Sequence, residues 1–66
     1  MVKNVEIGKC YTNGRQTVKV VYKNAGMAGY DCYLWVKTKK NWTAKTGYFD
    51  IQNDNWKEIE QSSFVQ

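Results

Sequence analysis

The chain has 66 residues, a formal charge of +4 from ten basic and six acidic residues, and no histidine or proline. That length supports one domain with a small core, since a chain of this size buries only ~60% of its unfolded surface. The longest apolar run falls far short of the ~20 residues of a membrane-spanning helix, and the N-terminal Met-Val-Lys-Asn-Val-Glu-Ile lacks the apolar centre of a secretory signal, so a cytoplasmic protein is expected.

Large apolar residues are scarce: Val, Ile, Leu and Phe together number thirteen. Ten aromatics make up the shortfall, because each can bury ~150–250 Å². The elements read as short strands. Val5 to Thr12 forms the first, with Val5, Ile7 and Tyr11 inward and Gly8 marking a bend. Asn13-Gly14 is a hairpin signal, suited to a type I′ turn. Arg15 to Lys23 follows, with Val18, Val20 and Tyr22 inward and Lys19 and Val21 outward. Asn24 to Gly29 is a loop of small residues around Met27. Tyr30 to Thr38 alternates most cleanly: Cys32, Leu34 and Val36 point to one face, and Asp31, Tyr33, Trp35 and Lys37 to the other. Lys39-Lys40-Asn41 is a charged turn. Trp42 to Ile51 is a fourth strand, interrupted by Gly47. Residues 52–55 are polar and suit one 3₁₀ turn, and Trp56 to Glu60 is a short last strand. Residues 61–66 read as a tail, with Phe64 and Val65 available to dock. The expected core is Val18, Val20, Cys32, Leu34, Val36, Phe49, Ile51 and Ile59, with Trp56 completing it.

Five strands at this spacing predict an all-β fold, a small five-stranded antiparallel barrel over residues 1–60. Three stretches resemble small phage-encoded SH3-like β-barrel proteins: Ile7-Gly8-Lys9-Cys10-Tyr11 as an opening, Tyr33-Leu34-Trp35-Val36 as a central strand, and Gly47 to Ile51 with Asn55 to Ile59 as an ending. The likeness covers residues 5–60. It implies an SH3-like barrel, a fold that hosts many unrelated activities.

Nothing in the sequence resembles an active site. Histidine is absent, and general acid–base chemistry most often uses it. Cys10 and Cys32 both read as inward on neighbouring strands, as reduced structural thiols, with a disulfide open only if the register allows it. Two thiols without an imidazole cannot close a zinc site. No enzyme, metal or cofactor is expected.

The outward side of the third strand is unusual, because a soluble sheet normally puts small polar groups there. Tyr33, Trp35, Lys37, Lys39, Lys40, Trp42, Lys45 and Tyr48 are the candidate partner-binding residues. Two readings stand. One is a non-catalytic protein-binding module, a phage-type accessory or inhibitor docking on a host protein through aromatic anchors. The other is a nucleic-acid-binding barrel, with bases stacked on the rings and lysines on the phosphates. Residues 1–45 carry a net +7 and residues 46–66 a net −3. Acidic groups bordering a polyanion groove would repel the ligand, which favours the protein reading. A monomer and a small homo-oligomer both fit.

Overall fold

The computed structural model describes residues 4–23 and 29–64. The expected loop around Met27 falls largely outside them, as does Val65. The described chain is all-β: β1 (Cys10–Thr12), β2 (Thr17–Lys23), β3 (Tyr30–Val36), β4 (Asn41–Trp42), β5 (Gly47–Phe49) and β6 (Lys57–Ile59), then a 3₁₀ turn at Gln61–Ser63. The strands form one antiparallel sheet in the order β4-β3-β2-β1-β6, with β5 also paired to β3. Six strands replace the expected five because the fourth divides, and strand pairing does not close the sheet into a barrel. No helix among the described residues is long and apolar enough to cross a membrane.

The β1–β2 hairpin forms where Asn13-Gly14 predicts it, but one residue out of phase. Thr12 pairs with Thr17, the Asn13 amide donates to the Gln16 carbonyl at 3.2 Å, and Gly14 takes φ +92° at the first central position. That is the pattern of a type II′ turn rather than I′. Asn13 therefore keeps an ordinary φ and uses its side chain instead: its Oδ1 accepts from the amides of Arg15 and Gln16 at 2.9 and 2.7 Å.

The first face of the sheet carries the core. Tyr11, Val18, Val20, Tyr30 and Cys32 are buried there, and Leu34 and Phe49 pack against them. The lid is the irregular stretch that follows β5, which supplies Ile51 and Trp56. Residues 52–55 are turns rather than a 3₁₀ helix. They are shaped by Asn53, whose side chain accepts from the Asn55 amide and donates to the Asp50 carbonyl, both at 2.9 Å. Tyr11 is fully buried with its hydroxyl satisfied by the Glu6 amide at 3.0 Å.

Several inward assignments are corrected. Ile7 is 66% exposed, because the chain turns at Gly8 (φ +91°) and Lys9 N donates back to Glu6 O. This shortens the predicted first strand and leaves Ile7 on the outside of a turn. Tyr22 is 51% exposed. The β2–β3 register shifts between Val20 and Tyr22, so Val21 is an extra residue that reverses the alternation beyond it. Leu34 and Val36 are only partly buried. Cys10 and Ile59 pair with each other, and Cys10 also pairs with Lys19. Both therefore lie on the second face, while Cys32 opposite Val20 lies on the first. With β2 between their strands and the sheet between their faces, the two thiols are free and out of reach of each other.

Candidate functional site

Of the candidate residues, Tyr33, Trp35 and Trp42 lie on the second face of β3 and β4, and the lysines lie in the turn and bulge beside it. Trp35 and Trp42 are directly opposite each other across the β3–β4 pair. Their rings meet edge to face at 5.0 Å and 70°. Phe64, arriving from the C-terminal turn, sets its ring edge-on to both, at 5.3 Å from Trp35 and 5.8 Å from Trp42. Edge-to-face contact suits the aromatic quadrupole and stabilises each pair by about 0.5–1.5 kcal/mol beyond burial. The three rings thus hold one another half-buried on the second face, outside the main core cluster.

A local irregularity follows Trp42. Between β4 and β5 the chain bulges away from β3, and Thr43 repairs the interrupted ladder. Its amide donates to the Leu34 carbonyl at 2.9 Å. Its hydroxyl accepts from the Leu34 amide at 3.1 Å and donates to the Lys45 carbonyl at 2.9 Å.

Two grooves flank the rings. One, about 290 Å³, is lined by Thr17, Trp35, Lys37, Lys40 and Phe64. The other, about 490 Å³, includes Lys19, Val21, Tyr33, Trp42 and Ala44 in its walls. The structure therefore brings Trp35, Trp42, Lys37 and Lys40 together, with Tyr33 on the far side of Trp42. Lys39 is exposed in the β3–β4 turn, and Lys45 is exposed in the bulge. Lys40 closes that turn at φ +51°, a left-handed conformation for a side-chain-bearing residue. Tyr48 shares the face but not the cluster. It pairs with Asp31, four residues and about 13 Å along the strand from Trp35. Its hydroxyl accepts the Gly29 amide at 2.6 Å.

The charges are segregated. Lys9, at the far edge, pairs with Glu6 at 3.2 Å and Glu58 at 3.3 Å, and both carboxylates hold its pKa above the ordinary lysine value, Glu6 chiefly. Among the described residues no ion pair reaches Lys37, Lys39, Lys40 or Lys45. Asp31 hydrogen-bonds the Tyr22 hydroxyl and raises that phenol.

The thiols are unsuited to nucleophilic work. Burial pushes Cys32 up to about 12, with Asp31 adding to the shift, and its Sγ lies 3.6 Å from the Tyr30 carbonyl. Burial also raises Cys10. A thiol held protonated is a poor nucleophile. Among the described residues no group of three or more Cys, Asp or Glu is placed to hold a metal ion.

Phe64, Thr17 and Ala44 join the site without having been singled out as binding residues. Phe64 carried one sequence signal, a large apolar residue beside Val65 after the polar Gln61-Ser62-Ser63. Comparison with family models, curated proteins and solved structures finds no match to this chain.

Proposed function

We propose that this chain is a non-catalytic protein-binding module that docks on a host protein through the second face of β2, β3 and β4, in the manner of a phage-type accessory or inhibitor acting in the host cytoplasm. The observation that carries the reading is the Trp35–Trp42–Phe64 cluster on the face opposite the main core cluster, with Lys37 and Lys40 at its side. A pre-set aromatic cluster with a basic rim is what a protein hot spot requires: rigid rings that lose little entropy and charges that steer encounter. The SH3-like resemblance is kept as part of this reading. With β4 and β5 counted as one interrupted strand, the chain order is that of the five strands read from the sequence.

The nucleic-acid alternative draws support from the lysines of the β3–β4 turn and bulge, which have no ion-pair partner among the described residues. Stacking, however, needs an open ring face on successive bases, and these three rings are engaged with one another. The deciding experiment is capture from host lysate on the tagged chain, with and without nuclease, beside Trp35→Ala. The proposal expects a protein that survives nuclease and is lost with Trp35→Ala. Recovery of nucleic acid alone would reject it.

A further inference from the structure

The aromatic site already has an occupant from its own chain. Phe64 follows the 3₁₀ turn and packs against both tryptophans. Its ring is the segment's aromatic contact with that face. The backbone hydrogen bonds of the turn are internal, Ser63 N to Glu60 O at 2.9 Å and Phe64 N to Gln61 O at 3.3 Å. None of the hydrogen bonds found among the described residues ties Gln61–Phe64 to the sheet. Among the described residues the segment meets the two tryptophans through this one ring, a contact that a competing ring can displace.

The occupant also leaves half the site unused. Lys37 and Lys40 line the groove beside Phe64, and Lys39 stands in the same turn, yet Gln61-Ser62-Ser63 brings no carboxylate to any of them. We infer that Phe64 is a resident stand-in for the partner's anchor, and that the partner presents a short acidic segment with one aromatic side chain. The partner's ring takes the place of Phe64 between Trp35 and Trp42, and its carboxylates meet Lys37, Lys39 and Lys40. This rests on the protein-binding reading and specifies the chemistry of that partner. The resident ring weakens binding by the fraction of time it occupies the seat: a seat free about a tenth of the time lowers apparent affinity about tenfold. The unmatched lysines are what the acidic segment gains in exchange, each exposed pair giving up to about fivefold.

The test titrates the full chain with the synthetic peptide Asp-Glu-Phe-Glu-Asp, with its Phe-to-Ala analogue, with the neutral Asn-Gln-Phe-Gln-Asn, and with oligodeoxythymidine. The first readout is the ring resonances of Phe64 in the wild-type chain, with Phe49 as an internal control. The inference expects the acidic aromatic peptide to shift the Phe64 signals toward solvent-exposed values while those of Phe49 stay put. Phe64→Ala should bind that peptide about tenfold or more tightly than wild type, and the two analogues should bind at least tenfold more weakly. Phe64→Leu, which keeps bulk in the seat, gives an intermediate gain and serves where Phe64→Ala does not fold. Unmoved Phe64 signals at saturating peptide, equal binding of the Ala analogue, or displacement by oligodeoxythymidine in place of peptide would each overturn it. If Trp35→Ala still abolishes capture of a protein while the peptide leaves Phe64 in place, the inference fails and the protein-binding reading survives.

Discussion

Gly29→Ala tests how closely β5 is held against the start of β3. A Cβ at Gly29 would lie 2.6 Å from the Phe49 carbonyl oxygen and 2.6 Å from Cζ of Tyr48. Tyr48 can swing aside, but the carbonyl is backbone. Ordinary contact begins near 3.4 Å, so β5 must retreat by roughly 0.8 Å. Overpacking of this kind costs about 1–3 kcal/mol. The Gly29–Tyr48 hydrogen bond would be stretched or broken, a further ~0.5–1.5 kcal/mol. Opposing this, removing a glycine from the unfolded chain stabilises by about 0.4–1 kcal/mol, because Gly29 does not occupy the left-handed region. The net expectation is a loss of about 0.5–4 kcal/mol. For a domain of this size that lowers Tm by about 4–8 °C per kcal/mol. Urea unfolding followed by tryptophan fluorescence gives the magnitude. Amide exchange should show β5 opening while the β1–β2 hairpin stays protected. A variant as stable as wild type, with β5 unchanged in exchange, would refute the close approach.

Three further outcomes follow from the same geometry. Ile51 is fully buried although it sits outside any strand, so Ile51→Ala should cost about 2–5 kcal/mol in denaturant unfolding; a cost below about 1 kcal/mol would mean the stretch after β5 does not cap the core. The Cys32 thiol is pushed from an ordinary 9.0 up to about 12 in the fold, so its contribution to stability is fully present below pH 9 and is lost as pH rises toward 12; subtracting the stability-against-pH curve of Cys32→Ala from that of wild type should leave a decline confined to that window, and a flat difference would contradict its burial. Lys40 adopts φ +51°, so Lys40→Gly should hold or raise stability, by up to about 1 kcal/mol, and a clear thermal destabilisation would show that the lysine side chain itself holds the turn.

Much of the fold was legible because hydrophobic alternation is a strong signal where strands are regular. Tyr30 to Val36 and the Val18, Val20 pair face as their period requires, and Trp56 joins the core. The reading broke where the backbone departs from a strict period of two. A one-residue bulge at Val21 turned Tyr22 outward. The turn at Gly8 exposed Ile7, and the Thr43 bulge divided the fourth strand. Such irregularities are set by side-chain-to-backbone hydrogen bonds and neighbouring strands, which local pattern does not encode. The second face was harder still. Cys10 and Ile59 look inward by hydrophobicity, yet they lie on that face beside the C-terminal turn, a long-range arrangement. The aromatic site was found from the outward side of β3. Its third ring, Phe64, comes from the other end of the chain, where residue spacing gives no guide to proximity.

The central claim is that Trp35 anchors a protein partner and that the lysines guide its approach. The direct measurement is the binding kinetics of the protein captured by the tagged chain, compared among wild type, Trp35→Ala and a variant with Lys39, Lys40 and Lys45 all replaced by alanine. The account predicts faster dissociation for Trp35→Ala, and slower association with little change in dissociation for the triple variant. Binding to generic single-stranded DNA or RNA at physiological salt that the triple variant abolishes, with a salt slope flattened by ~0.7–0.9 for each phosphate no longer neutralised, would contradict it.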